Sequence, residues 1–244
     1  MGLELLDYPK ANIRIVVHSQ WEKMWRVRPH FKEPETVGWI DEYVGEGDVF
    51  YDVGANTGGY GLIAASRGAK VYAFEPEAMN FSRLAQNINL NNEDCTQPDT
   101  KFDITPLPVA LWDTRRIETM YMMQAEPGAA SHKIGNEGCE GNWAVTQAIL
   151  SVQMDDLAMW DIPLPSHVKI DVDGYEGRVL AGATLALASP ALRSVMIELN
   201  HLSEDYEQCM SALRLAMLTE KDSWPRSKQS GIEVFNHLFV KEDA

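Results

Sequence analysis

The chain has 244 residues, enough for one α/β domain with a large core or at most two small ones. Its 45% hydrophobic content is that of an ordinary globular protein, and no apolar run reaches the ~18 residues that a membrane-spanning helix needs. Thirty-six acids against 21 bases give a formal net charge of −15, which argues against nucleic acid and anionic membrane surfaces, since both are held through Lys and Arg.

Residues 1–33 read as an N-terminal extension or lid, and residues 34–244 as the main domain. The opening MGLELLDYPKANIRIVV lacks a basic segment followed by an apolar core, so a secretory signal is not expected. Its Met-Gly start departs from an acylation signal at Leu6, and the expected location is cytoplasmic. Ile13 to Val17 reads as a short strand, with Trp21, Trp25 and Phe31 as bulky anchors. The segment either covers the mouth of a site or packs on the outside of the domain. Its basic residues Arg14, Lys23, Arg26 and Arg28 read as a solvated face. Glu35 to Val44 carries Val37, Ile40, Tyr43 and Val44 at helical spacing behind Pro34, a residue favoured at helix starts.

Next comes an apolar strand (Val49, Phe50, Tyr51), an acid (Asp52), a turn with Gly54, Gly58, Gly59 and Gly61, and a helix over Leu62 to Ala65 stopped at Gly68. This is the opening of a βαβ unit, whose glycines let backbone approach a ligand closely and whose helix N-terminus suits an anionic group. A second strand, Lys70 to Phe74, ends in Glu75, and Pro76 leads to a helix with Phe81, Leu84, Ala85 and Ile88 on one face. Asn87, Asn89, Asn91 and Asn92 with Asp94 and Pro98 read as a turn-rich break. Ile104 to Leu111 reads as a third strand despite Pro106 and Pro108. Ala110, Leu111, Trp112 and Asp113 at its end are placed to line an adenine pocket.

Residues 115–147 show the least pattern and read as a hairpin or flap over the site. Ser151 to Met154 leads to a short helix at Asp155 to Leu157. The fourth strand, His167 to Asp171, precedes a helix through Val179, Leu180 and Ala183, and Ser194 to Glu198 is the fifth. Ser203 caps a helix with Tyr206, Met210, Leu213 and Met217 on one face, and Val234 to Val240 is the last strand. Strands alternating with helices predict an α/β fold with a mostly parallel sheet and helices on both faces. Cys95, Cys139 and Cys209 fit neither a disulfide framework nor a zinc site and read as inert thiols.

Four acids, Asp52, Glu75, Asp171 and Glu198, fall at the carboxyl ends of predicted strands, where open α/β sheets bind ligands. Exclusion of charge from strand interiors accounts for one or two of them, not for all four. A dinucleotide loop wants Gly at the position held by Asn56, so a ligand without pyrophosphate is favoured, with Glu75 on its ribose. Carboxylates suit a cationic cofactor, and S-adenosylmethionine carries a sulfonium and an ammonium. Methyl transfer to an oxygen needs a base, for which Asp171, Glu198 and His201 are the candidates, with His132 on the flap more remote. No ligand spacing indicates a metal.

Val49-Phe50-Tyr51-Asp52-Val53-Gly54-Ala55-Asn56-Thr57-Gly58 resembles the first motif of class I S-adenosylmethionine-dependent methyltransferases, in the Gly-Ala-Asn version of the FkbM family. Ala73 to Pro76 and Asn87 to Asn91 are similar to that family too. Val168-Lys169-Ile170-Asp171-Val172-Asp173-Gly174-Tyr175-Glu176 resembles its Lys-Ile-Asp-Val-Glu-Gly signature, with Asp173 in place of glutamate. The resemblance spans Val49 to Glu198. It implies a Rossmann-like three-layer sandwich with a seven-stranded, mostly parallel sheet and an antiparallel C-terminal strand. It also implies O-methylation of a hydroxyl on a sugar, glycan or small natural product. Asp52, Gly54, Ala55, Asn56 and Gly58 would surround the cofactor's methionine part, Glu75 and Pro76 its ribose, and Ala110 to Asp113 its adenine, with Asp171 near the transferred methyl. The alternatives are a methyltransferase for RNA or protein, a nicotinamide-dependent oxidoreductase on the same βαβ loop, and a binding module without turnover.

Overall fold

In the computed structural model, residues 2–93, 102–124, 126–130, 132–135, 143–229 and 232–241 are described. Strand β1 (Gly2–Leu5) pairs antiparallel with β2 (Arg14–Val17) as a separate ribbon. Helices α1 (Gln20–Trp25), α2 (Pro29–Lys32) and α3 (Pro34–Tyr43) follow, the last opening on Pro34 as expected. Then β3 (Val49–Val53), α4 (Gly59–Ser66), β4 (Lys70–Phe74) and α5 (Ala78–Asn92) alternate. Strands β5 (Ile104–Leu107), β6 (Val109–Leu111), β7 (Arg116–Met122), β8 (Lys133–Ile134) and β9 (Val145–Val152) lead to a 3₁₀ turn at Met154–Trp160. The rest is β10 (His167–Ile170), α6 (Glu176–Ala181), α7 (Thr184–Ala188), β11 (Ser194–Asn200), α8 (Tyr206–Leu215), β12 (Leu218–Gln229) and β13 (Ile232–Lys241).

The main sheet runs β12-β13-β11-β10-β3-β4-β5, with β13 antiparallel to both neighbours and the other pairings parallel. This is the expected Rossmann-like sandwich with an antiparallel last strand. Successive side chains of a strand point to opposite faces, and the two cores follow that alternation. Tyr51, Val53, Tyr72, Phe74, Val168, Ile170, Val195 and Ile197 pack on one face with α6 and α8. Phe50, Val71, Ala73 and Met196 pack on the other, against α3 and α4.

The predicted third strand is two strands in two sheets. Pro108 supplies no backbone N–H, and the chain leaves the main sheet there: β5 pairs with β4, whereas β6 pairs with β9 in a second sheet of order β6-β9-β7-β8. The predicted flap therefore supplies β7, β8 and the start of β9 to that sheet, with β7 antiparallel to β9. The asparagine-rich break is helical up to Asn92, because its amides bind the N-terminal ribbon. Asn87 accepts from Val16 N–H (2.8 Å) and donates to the Thr57 carbonyl (2.8 Å), and Asn91 accepts from Arg14 N–H (2.9 Å). Asp94, Pro98, Cys95, Cys139 and the side chain of Trp21 lie outside the described residues; Cys209 is buried and free. Helix α8 stops at Leu215, and Met217, at φ +63° and exposed, turns the chain into β12 instead of joining the helix's buried face. None of the described helices is long and apolar enough to cross a membrane.

Candidate active site

The turn after β3 opens on Gly54, whose φ is +81°, and its N–H and that of Ala55 both donate to the Phe74 carbonyl at 3.0 Å. A Cβ on Gly54 would lie 2.0 Å from the Asp171 carbonyl oxygen, so only glycine lets the exits of β3 and β10 close together. Asn56 also takes a left-handed conformation (φ +51°) and donates its N–H to Glu75 Oε2 at 2.8 Å. The other Glu75 oxygen accepts from Glu77 N–H at 2.9 Å. Burial pushes the Glu75 carboxyl up to about 7, against the pull of these two N–H groups.

Above this turn lies a cavity of about 340 Å³. Gly54, Asn56, Glu75, Pro76, Ala110, Leu111, Trp112, Asp171 and Glu198, all predicted from sequence, line it, and so does His132 from the flap. Among the described residues, buried polar atoms on three of these side chains have no hydrogen-bond partner: Asn56 Oδ1, Trp112 Nε1 and both ring nitrogens of His132. Such atoms are rare in a finished interior and suit a ligand. S-adenosylmethionine fits this donor set. The Gly54 turn forms the cavity floor, the buried Glu75 carboxylate faces the cavity as an acceptor for hydroxyls, and the Ala110–Trp112 wall ends in an indole N–H without a partner among the described residues.

Five predicted site residues are not part of the cavity lining. Asp52 belongs to the sheet face under α4, where its carboxylate accepts Gly61 N–H at 2.9 Å, and burial moves its pKa to about 6. Ala55 is buried. Gly58 serves the backbone, whose left-handed conformation (φ +91°) disfavours any side chain, and it packs toward Leu84. Asp113 is turned outward into an ion pair with Arg178 at 2.6 Å. His201 stacks on Phe235 with ring centroids 4.1 Å apart, and its Nε2 lies 2.9 Å from His237 Nε2.

The two remaining acids sit in one ion network. Lys169 Nζ lies 2.9 Å from Asp171 Oδ2 and 4.8 Å from the centroid of the Tyr60 ring. Burial raises the Asp171 pKa, but the charge of Lys169, with Lys32 and Arg26, outweighs it and holds the carboxyl well below its usual range. Glu198 faces Arg226 at 3.7 Å, and Arg226 reaches Glu33 at 2.8 Å. For Glu198, burial comes first and the charges of Asp171 and Glu33 add to it, pushing the carboxyl up to about 8. One wall thus carries a carboxylate held in its ionised form by Lys169 and another whose ionised form is disfavoured by burial and by the charges of Asp171 and Glu33, the kind of split found between acid–base groups.

Sequence reasoning left open whether the N-terminal segment covers the site and named none of the residues that it or α5 brings to the cavity. Trp25, Arg26 and Lys32 line the cavity, as do Asn80, Ala129 and Tyr175. The backbone at 128–129 is fastened from three sides. Arg26 Nε donates to the Gly128 carbonyl at 3.0 Å, and the amides of Asn56 and Asn80 donate to Ala129 at 2.8 and 3.1 Å. The one signal in the sequence was the aromatic and basic density of residues 21–32.

Comparison with known proteins gives the same answer as the geometry. A model described as the methyltransferase FkbM domain matches residues 52–223. The hexuronic acid methyltransferase AglP of Haloferax volcanii is 30% identical over 198 residues, covering 80% of this chain and 74% of that protein. The crystal structure of methyltransferase FkbM from Methylobacillus flagellatus KT aligns with a TM-score of 0.50 at 16% identity, over 79% of this chain. This chain spans only 43% of that structure's length, and the likeness is one of fold. Glycine turns and strand-end acids occur in many α/β folds, but a domain match from β3 into β12 does not arise from fold alone: the chain belongs to the FkbM family of methyltransferases.

Proposed function

We propose that the protein transfers the methyl group of S-adenosylmethionine to a hydroxyl oxygen of a sugar or glycan. The observation that carries this reading is the pair of unlike carboxylates, Asp171 and Glu198, at the wall of the cavity that the Gly54 turn and Glu75 also line. When bound, the cofactor supplies a methyl carbon activated by a cationic sulfur. Glu75 holds its ribose hydroxyls, and the Ala110–Trp112 wall faces its adenine. Asp171, ionised and fixed by Lys169, offsets the positive charge at the reacting centre. Glu198 in its ionised form accepts the acceptor's hydroxyl proton, a role suited to a group that titrates near the working pH. Asp171 is poorly suited to that role because Lys169 makes it too weak a base.

The sugar class is supported by AglP, which is named for a hexuronic acid. Incubation with methyl-labelled S-adenosylmethionine and a panel of hexuronosides, neutral glycosides and oligosaccharides should place the label in an alkali-stable methyl ether. Label recovered only on nitrogen, or only as an alkali-labile ester, overturns the hydroxyl assignment.

A further inference from the structure

The cavity is lined by two cations, whereas the cofactor brings two positive groups and a single carboxylate. Arg26 and Lys32, both half-buried, line it from the α1–α2 segment. In a chain of net charge −15, two such side chains at one cavity are not a consequence of composition. Lys32 belongs to the acid–base wall: it lies 2.8 Å from Glu33, which Arg226 links to Glu198. Arg26 lines the same cavity as Asp171, Glu198 and Glu75, and its charge lowers the pKa of both Asp171 and Glu75.

Both side chains keep unused donors. An ammonium has three N–H groups and a guanidinium five. Among the described residues, Lys32 Nζ has its ion pair with Glu33, and Arg26 uses Nε and Nη2 on the single Gly128 carbonyl. Beside them Trp25 lines the cavity while 40% exposed, a flat apolar surface at its mouth. Flat aromatic surface next to a few convergent charged donors is how a pocket fixes a polar ligand with one apolar face.

The geometry points to an anionic acceptor: a sugar bearing a carboxylate or a phosphate, gripped by Lys32 and Arg26 with its ring against Trp25. This rests on the sugar-hydroxyl reading above and deepens it by assigning the N-terminal segment to acceptor choice. An acceptor anion near Asp171 would be repelled without those two cations, and with them it enters a site whose charges are matched.

The test is calorimetric and needs no turnover. Protein saturated with S-adenosylhomocysteine is titrated with methyl glucuronide, glucose 1-phosphate and methyl glucoside. At least one anionic sugar should bind tenfold or more tightly than the neutral one, and which of the two does so identifies the anion. Lys32→Met and Arg26→Met should each reduce that preference at least fivefold while leaving S-adenosylhomocysteine affinity within twofold. Equal binding of all three sugars, no binding of any, or a preference that survives both substitutions overturns the proposal. So does a matching loss of S-adenosylhomocysteine affinity, which would put the cations on the cofactor's own carboxylate. Failure of the hydroxyl reading shows up differently: the preference for the anion persists, but labelled methyl never reaches an ether oxygen.

Discussion

Asp171 and Glu198 are the same kind of group on neighbouring strands, yet their titrations are driven in opposite directions. The difference is Lys169, which is in direct contact with Asp171, while the Asp171 and Glu33 charges reinforce burial at Glu198. If Glu198 is the base, kcat/KM should rise with pH toward about 8, because only its ionised form can take a proton. Glu198→Gln should lower kcat by about 10²–10⁴-fold and flatten that rise, with S-adenosylhomocysteine affinity unchanged. A variant that keeps the alkaline limb would remove Glu198 from the proton transfer. On the cofactor side, Glu75→Ala should weaken S-adenosylhomocysteine binding by about 1–3 kcal/mol, the loss expected for charge-assisted hydrogen bonds. An unchanged dissociation constant would refute the ribose assignment. Both residues were legible in the sequence as acids that follow apolar strand residues, although Glu198 lies two residues inside β11 and only Glu75 follows its strand. Asp52 was misjudged for a reason of the same scale. It lies one residue inside β3, so strand alternation turns it to the α4 face instead of the open end.

At the level of elements, the sequence was informative where hydrophobic period and turn chemistry agreed. The βαβ units from β3 to α5, the strands β10 and β11 and the helix α3 follow from that agreement. It failed where a polar or proline-bearing stretch still forms strand. In β12, Leu218–Gln229 is mostly polar and contains Pro225, which is tolerable because β12 is the sheet's edge strand. It also failed for the N-terminal segment, whose docking depends on partners far away in the chain. Glu22 closes the capping box of α1 with Ser19 and lies 3.0 Å from Arg83 of α5, and both charged side chains are almost fully buried. Removing one member of a buried pair leaves the other charge uncompensated. Glu22→Ala should therefore cost about 3–5 kcal/mol in urea unfolding, and Arg83→Met in that background should recover most of it. A single-variant loss below about 1 kcal/mol would show that the segment is held by its asparagine clasp and apolar contacts alone. Because Trp25, Arg26 and Lys32 follow directly on Glu22, the same variant should loosen the acceptor side before the cofactor side.

For the molecule as a whole, buried acids set the pH at which the fold is most stable. Burial is the leading cause of the upward shift in all four of Asp52 (about 6), Glu75 (about 7), Glu176 (about 7) and Glu198 (about 8). A carboxyl raised in the folded state binds a proton that the unfolded chain has already released, so its contribution to stability is complete below pH ~4 and disappears as pH rises through the folded value. Asp171, Glu33, Asp41 and Asp156 are shifted the other way, and their contribution disappears only as pH falls below the ordinary carboxylate range. The two sets of carboxyls together favour the fold most near pH 5, while His167, which burial keeps neutral with a pKa lowered to about 4, acts the other way as pH rises toward 6.5. Between pH 5 and pH 8 the protein should lose at least about 2 kcal/mol, seen as a drop of roughly 4–8 °C in Tm. Self-repulsion of a chain with net charge −15 acts in the same direction and is screened by salt, whereas the buried acids are not. Repeating the scan at high salt separates the two: a slope that persists belongs to the buried carboxyls, and a flat profile at every ionic strength would mean that these acids are ionised in the fold. Saturation with S-adenosylhomocysteine at a hundred times its dissociation constant should add about 2.7 kcal/mol at each pH. If Glu75 must be ionised to hold the ribose, that binding should be weaker near pH 5 than near pH 8, so the conditions that best preserve the fold are not those in which the site is ready to work.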